Sequence, residues 1–324
     1  MQKIKTILMG TPEFAETIFR KAYPILKDRL DIIAVITAPD KPVGRKQVLT
    51  PSPVKKWASG ANFSVLEPIR IKNLEWIKRI KELKPDLIIL CAYGQIIPKE
   101  ILDAPKYGAL NVHPSLLPKY RGASPIQSVI LNGDKETGIT IILMDEEMDH
   151  GPIIQNSKCK IQNAKITYKE LSEQLANLGA ELLIKILPDW VDGKIKTQPQ
   201  DHSKATFCKI IKKEDGKINW NKSAQEIERQ VRAYATWPTA YTEIQNSKFK
   251  IQNDNAKLKI FEAEVINKNT ERKVGEVFLK DKQLAVQTGN GVLILKQVQL
   301  EGKKPMSTKD FLNGHPEIIN AVLQ

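Results

Sequence analysis

Asn111 and His113 stand two residues apart in the stretch NVHPSLLPKYRG, Asn111–Gly122. In an extended segment alternate side chains share a face, so the amide and the imidazole project together. Pro114 and Pro118 prevent the segment from continuing as a helix. An amide and an imidazole paired at a strand end suit acyl chemistry, where one group donates to an oxyanion and the other moves a proton. Such an imidazole needs a carboxylate partner. Downstream, ILMDEEMDHGPII (Ile142–Ile154) carries four acids, Asp145, Glu146, Glu147 and Asp149. In isolation this run reads as a solvated acidic turn. Asp149 is the candidate partner, because the His150-Gly151-Pro152 turn and the strand after it can hold it at a loop base. His150, His202 and His315 have no comparable companions and read as surface or structural residues.

Positioning these groups falls to the elements around them. Short β-rich runs, Ile4–Met9, Ile32–Ile36, Phe63–Leu66, Leu87–Cys91 and Ala109–Val112, alternate with helical patterns at Phe14–Leu30, Pro53–Ala61, Leu74–Leu83 and Pro98–Leu102. This alternation predicts an α/β fold, a doubly wound and mostly parallel sheet with helices on both faces. Ile32–Ile36 and Leu87–Cys91 are continuously apolar, as strands covered on both faces are. Ligands of such sheets bind beyond the carboxyl ends of the strands, where Asn111 and His113 fall. Ile139–Met144 and Pro152–Ile154 read as further strands. Thr167–Ile186 reads as a helix opened by a Thr167–Glu170 capping box.

Pro188, Gly193 and the polar run KIKTQPQDHSKAT mark a linker. The expected division is 1–188, a linker over 189–206, and 207–324. Beyond Phe207, a helix at Ser223–Tyr234 precedes short strands at Ala240–Ile244, Leu258–Val265, Gly275–Leu279, Gln283–Thr288 and Gly291–Gln299. Turn signals between them predict a small β-barrel. An echo joins the two parts: IQNSKCKIQNAK at 154–165 returns as IQNSKFKIQNDNAK at 244–257. It does not recur, so it marks no solenoid, and the second copy reads as a polar hairpin extension between barrel strands.

Several classes are disfavoured. GTPEFA (Gly10–Ala15) follows the first strand and opens a helix, which suits close backbone approach or an anion. It lacks the three spaced glycines of a dinucleotide site, and the chain has no GKS or GKT, which argues against a dehydrogenase. No apolar run reaches the ~18 residues of a membrane span. The N-terminal run Ile4–Met9 is too short for a secretory signal and ends in Gly-Thr-Pro. Cys91, Cys159 and Cys208 fit no metal spacing, and so sparse a set suits a reducing cytoplasm. The net charge of +13 is uneven: residues 1–100 carry 18 basic and 10 acidic groups, 101–150 carry 4 and 7, and 201–324 carry 21 and 15. A basic excess at both ends of the chain, around an acidic middle, suits a polyanionic partner. TAPDKPVGRKQ (Thr37–Gln47) reads as an exposed loop whose Lys41, Arg45 and Lys46 can contact phosphates.

Taken together, Asn111-Val112-His113 with SLLPKYRG, and LMDEEMDHGPII downstream, resemble the 10-formyltetrahydrofolate-dependent formyltransferases. GTPEFA, the KPVGR loop, CAYGQIIP, EDGKINW and TWPTAYT extend the resemblance over nearly the whole chain, toward those members that act on methionyl-tRNA. The resemblance implies a catalytic trio of Asn111, His113 and Asp149. It implies a folate pocket lined by Cys91, Ala92, Tyr93, Gly94, Gln95, Ile96 and Ile97, by Ser115, Leu116, Leu117 and Pro118, and by Asp145, Glu146 and Glu147. It also implies a C-terminal oligonucleotide-fold barrel and, with the KPVGR loop, an initiator tRNA partner contacted by Lys41, Arg45 and Lys46. No metal is implied, no membrane association is expected, and the protein is expected to be a monomer. Two positions depart from the family pattern: Glu147 stands where glycine is usual, and His150 where threonine is usual. The same trio would also serve a formyltransferase acting on an amino sugar or glycinamide ribonucleotide, or a formyltetrahydrofolate hydrolase. A non-catalytic RNA-binding protein would explain the charge but leave the trio without a role.

Overall fold

Continuous apolar runs need cover on both faces, and they supply the middle of the main sheet. The structure, a computed structural model, describes residues 2–44, 46–245, 250–251 and 254–324. The chain forms two compact units. One comprises Met1–Pro125, Lys135–Gln162 and Leu171–Ile210, and the other Ile126–Asp134, Asn163–Glu170 and Ile211–Gln324.

The first unit begins with β1 (Ile4–Gly10), α1 (Glu13–Leu26), β2 (Leu30–Ile36) and a hairpin of β3 (Lys41–Val43) and β4 (Val48–Thr50). It continues through α2 (Pro53–Gly60), β5 (Val65–Leu66), α3 (Leu74–Glu82), β6 (Leu87–Cys91), α4 (Lys99–Leu102), β7 (Ala109–His113) and β8 (Arg121–Gly122). Past α5 (Pro125–Asn132), which belongs almost wholly to the second unit, come β9 (Glu136–Leu143), β10 (Ile153–Lys160), α6 (Tyr168–Val191) and β11 (Phe207–Cys208). The sheet order is β10-β9-β7-β6-β1-β2-β5. The five strands from β7 to β5 are parallel; β9 pairs antiparallel with β7, and β10 antiparallel with β9. Strand order reverses between β1 and β6, as in doubly wound folds. Ile7, Met9, Ile36, Ile88, Leu90 and Ile101 share one buried cluster, each worth roughly 1.5–3 kcal/mol by burial. Gly10 pairs with Cys91 at the carboxyl ends. A Cβ there would lie 2.7 Å from the Ala15 Cβ and 2.9 Å from the Cys91 carbonyl, which accounts for the glycine of GTPEFA.

Three local features differ from expectation. Within and just beyond the expected loop at Thr37–Gln47, β3 and β4 pair antiparallel, Lys41 opposite Thr50 and Val43 opposite Val48. Three-residue strands are too short to show alternation. Tertiary contacts brace the hairpin: the Lys55 ammonium lies 2.7 Å from Asp40 and 2.9 Å from Glu67. These hydrogen bonds, that to Asp40 first, raise the Lys55 pKa. Lys41 and Lys46 are exposed, and Arg45 lies outside the described residues. Secondly, β10 runs on to Lys160, so residues 154–160 of the first copy of the echo lie in an edge strand paired with β9. Thirdly, the polar run read as a linker is backbone-paired: Gln198 exchanges two 2.7 Å hydrogen bonds with Ile153, and β11 pairs with β8.

In the second unit, the predicted capping box closes as Thr167 and Glu170 bond reciprocally, and Ser223 and Glu226 cap α7 (Ala224–Ala233) the same way. The antiparallel sheet comprises β12 (Ala240–Gln245), β13 (Lys250–Ile251), β14 (Asp254–Ile266), β15 (Val277–Lys280), β16 (Gln283–Gln287), β17 (Val292–Leu300) and β18 (Met306–Ser307). After α8 (Thr308–Gly314), β19 (Val322–Leu323) completes it. The Glu276–Val322 bridge and the Val277-to-Ala321 hydrogen bond bring its two ends together, forming a nearly closed barrel around Ile227, Leu258, Ile260, Leu293, Leu295 and Phe311. Of the second copy of the echo, 246–249 and 252–253 lie outside the described residues.

Candidate active site

β7 presents Asn111 and His113 at its carboxyl end, both buried. The strand is pinned from both sides, parallel to β6 and antiparallel to β9, with His113 opposite Thr140. Thr140 also holds the turn that follows, because its hydroxyl donates to the Ser115 carbonyl at 2.7 Å and accepts from Leu117 N at 3.1 Å. The Ser115 hydroxyl donates to the Lys119 carbonyl at 2.6 Å. The turn then brings the Tyr120 carbonyl to within 3.0 Å of His113 Nε2. A carbonyl can only accept, so Nε2 carries hydrogen and Nδ1 is left to take up or release a proton.

Asp149 joins the group across 38 residues of chain. Its Oδ1 accepts from Asn111 Nδ2 at 3.0 Å and lies 3.5 Å from His113 Nδ1. Its Oδ2 accepts from Gly122 N at 2.8 Å. The carboxylate therefore fixes which way the Asn111 amide faces, and leaves that NH2 one further hydrogen to donate. Asp149 sits at φ +52°, a left-handed conformation that costs a non-glycine residue about 1–3 kcal/mol. The surrounding bonds hold it there. The Gln200 side-chain amide donates to the Asp149 carbonyl at 2.9 Å and the Gly151 carbonyl at 2.8 Å. A Cβ on Gly151 would run into the Leu143 carbonyl, a backbone atom that cannot swing aside. Gly151→Ala is therefore expected to displace the Asp149 turn, costing about 1–3 kcal/mol of stability and lowering turnover more than melting temperature. Thermal unfolding and steady-state rates on one preparation check this.

The residues expected to line a folate pocket divide by orientation. Ala92, Gly94 and Ile96 are exposed, Ile96 at 84%, while Cys91, Tyr93 and Ile97 are buried. Burial pushes the Cys91 thiol and the Tyr93 hydroxyl well above their ordinary ranges. Gln95 braces the loop, accepting from Ile71 N at 2.9 Å and donating to the Pro68 carbonyl at 3.0 Å. Ala92 and Gly94 both have positive φ. Ser115 and Leu117 are buried, and Leu116 and Pro118 half-buried. Lys99, at the start of α4 just past this loop, reaches to 3.6 Å from Glu146 of the acidic turn. Glu146 and Glu147 are exposed on that turn, as is Met148. Asp145 turns away from the trio: its Oδ2 lies 2.6 Å from His150 Nδ1 and its Oδ1 accepts from Glu147 N.

His150 and His202 therefore do have companions, contrary to expectation. Their rings stack at 4.1 Å and 6°, and His202 Nδ1 accepts from Arg121 Nη2 at 2.8 Å. Arg121 and Gln200, both buried, were not singled out by sequence reasoning. Arg121 is legible only as part of SLLPKYRG, and Gln200 is one polar residue in a polar run. Among the described residues, no group of three or more His, Cys, Asp or Glu side chains is arranged to hold a metal ion, and no helix is long and apolar enough to cross a membrane.

Known proteins carry the same two-part layout. A family model described as "Formyl transferase" matches residues 2–187, and one described as "Formyl transferase, C-terminal domain" matches residues 210–316. The methionyl-tRNA formyltransferase of Dictyoglomus thermophilum is 41% identical over 317 residues, 96% of this chain and 97% of that protein. That of Staphylococcus aureus strain MW2 is 39% identical over 312 residues, 96% of each. Among solved structures, an N-formyltransferase from Helicobacter canadensis in complex with folinic acid and dTDP-3-aminofucose superimposes with a TM-score of 0.62 at 22% identity, over 91% of this chain and 100% of that one. HypX from Aquifex aeolicus in complex with tetrahydrofolic acid gives 0.63 at 16%, over 98% of this chain and 48% of that one. At these identities the two structures speak for the fold alone.

Proposed function

Because this chain belongs to the formyl transferase family, we propose that formyl transfer takes place at Asn111, His113 and Asp149. The activity is the transfer of a formyl group from 10-formyltetrahydrofolate to the α-amine of methionyl-initiator tRNA, for translation initiation. The observation that carries the assignment of the site is Asp149 Oδ1, which binds the Asn111 amide and faces His113 Nδ1 at once.

In this reading the amine attacks the formyl carbon as its free base. Negative charge develops on the formyl oxygen, where the second Asn111 N–H can donate. His113 Nδ1 takes the proton from the attacking nitrogen, and Asp149 balances the charge on the ring. The proton then passes to the folate nitrogen as its bond to the formyl carbon breaks. No step draws on a metal. The exposed Ala92, Gly94 and Ile96 and the exposed acidic turn offer backbone hydrogen-bonding groups and an apolar side chain, a lining suited to a flat heterocycle with an amide edge. We place the folate there.

The tRNA is assigned to the basic ends of the chain, the exposed Lys41 and Lys46 with Arg45, and the barrel unit. Arg45 can fork onto phosphate or base edges, whereas the lysines act as point charges. The reading also places the protein in the cytoplasm, acting as a monomer and off the membrane, with residues 1–188 and 207–324 as catalytic and RNA-binding domains. The direct test is formation of formyl-methionyl-tRNA from the protein, methionyl-tRNA and 10-formyltetrahydrofolate. Formylation of amino sugars in place of methionyl-tRNA would overturn the substrate assignment. Arg45→Ala is expected to raise the KM for tRNA without altering folate binding. It should also make the salt dependence of tRNA binding shallower, by about 0.7–0.9 in slope for each phosphate the variant no longer neutralises. Rates against tRNA concentration at several salt levels measure both.

A further inference from the structure

Gln200 holds the Asp149 turn from behind, and its own orientation is held by Arg121. Its carbonyl oxygen accepts from Arg121 Nη2 at 2.7 Å and Nε at 3.2 Å. A guanidinium only donates, so the Gln200 oxygen must face it and the NH2 must face the turn. That NH2 spends both hydrogens, one on the Asp149 carbonyl and one on the Gly151 carbonyl. The first of these carbonyls belongs to Asp149 itself, whose backbone is left-handed, and the second lies two residues further along the turn. The next residue of the turn, His150, is covered by the stacked ring of His202, which Arg121 also contacts. Residues 200 and 202 thus grip 149–151 at three points. From the same segment as Arg121, Gly122 N bonds the Asp149 carboxylate itself. All of these residues belong to one compact unit.

We infer that Gln200 is a positioning residue for the reaction: by bonding both carbonyls of the turn, it sets the direction in which the Asp149 carboxylate meets Asn111 and His113. The inference rests on the proposed role of Asp149. Gln200 touches none of the reacting groups itself, and it lies in a polar run that composition alone reads as a connector. Arg121 serves by fixing the side of the Gln200 amide that faces the turn.

The geometry separates two ways of removing the residue's function. Gln200→Leu removes both the donors and the acceptor. Gln200→Glu keeps the length and the pairing with Arg121, but places a carboxylate oxygen against two carbonyl oxygens. If the donors act on Asp149, both changes lower kcat by about tenfold or more, and both leave the KM values for methionyl-tRNA and 10-formyltetrahydrofolate within about threefold of the parent. The decisive measurement is a double-mutant cycle by single-turnover kinetics in the full-length protein. With the Asp149 carboxylate already gone, Gln200→Leu should cost no more than about twofold further, because both changes remove one contribution.

The inference is overturned by a parent-like kcat in both Gln200 variants. It is equally overturned if Gln200→Leu lowers the rate by the same factor with and without Asp149→Asn, the mark of a general structural effect. Should Gln200→Leu fail to fold, Gln200→Glu carries the cycle in its place. If Asp149→Asn alone turns over like the parent, it is the assignment of the site that fails. A slow Gln200 variant beside a slow Asp149→Asn, with no added loss in the double, supports both.

Discussion

His113→Ala and Asn111→Ala are each expected to lower turnover by at least ~100-fold while leaving tRNA binding nearly intact. The two side chains emerge from one strand end and both face Asp149, which bonds the Asn111 amide and lies 3.5 Å from His113 Nδ1. They fail differently. Without the imidazole, no group at this position can take the proton as the amine attacks. Without the amide, the oxyanion loses a donor typically worth ~3–4 kcal/mol in such sites, and Asp149 Oδ1 loses its hydrogen-bond donor. Neither change touches the basic surfaces assigned to the polynucleotide, so binding of methionyl-tRNA should separate from turnover. Single-turnover formylation with titrated tRNA binding reads out both quantities, and near-parent turnover in either variant would sink the assignment.

Asp149→Asn should be nearly inactive as well, with a pH–rate profile unlike the parent's. The substitution keeps size but converts one acceptor oxygen into a donor NH2. One oxygen faces Asn111 and His113 Nδ1, and the other faces the Gly122 N–H. Whichever way the new amide turns, a donor meets a donor, and the negative charge beside the imidazole is gone. Asp145→Asn is the control. Its carboxylate bonds His150 and the Glu147 backbone, not the trio, so at saturating 10-formyltetrahydrofolate its effect on kcat should stay within about threefold, the scale of losing one partly exposed hydrogen bond. A crippled Asp145→Asn beside a competent Asp149→Asn would mean that the working carboxylate had been misassigned.

In the sequence, Asp149 stands apart from the other three acids only by the His150-Gly151-Pro152 turn that follows it and by the resemblance to the formyltransferases. The chain order does not show that Oδ1 reaches across to β7 while Asp145, four residues earlier, turns the other way. That separation follows from the left-handed backbone at Asp149 and from a glycine at 151, where any Cβ would meet the Leu143 carbonyl.

Several features were legible in the sequence because they depend on local patterns that tertiary context does not override. Leu87–Cys91 is apolar throughout, which only a strand covered on both faces tolerates, and it became β6 in the middle of the sheet. The Thr167–Glu170 capping box formed as spaced, because its partners sit within one helical turn. Asn111 and His113 share a face because strand geometry has a period of two. Other features had no local signal. The β3–β4 pair falls partly within the expected Thr37–Gln47 loop, because three-residue strands are too short for periodicity to register. His150, His202, Arg121 and Gln200 come from three separated stretches and read as unrelated polar residues. What joins them is the return of the chain after α6, which pairs Gln198 with Ile153 and lays a polar segment behind the Asp149 turn. The amino-acid sequence by itself determined which groups could do the chemistry and which strand would carry two of them. Only the tertiary structure decided which carboxylate meets them and what holds it there, since hydrogen bonds between residues dozens of positions apart depend on where the sheet brings the chain back.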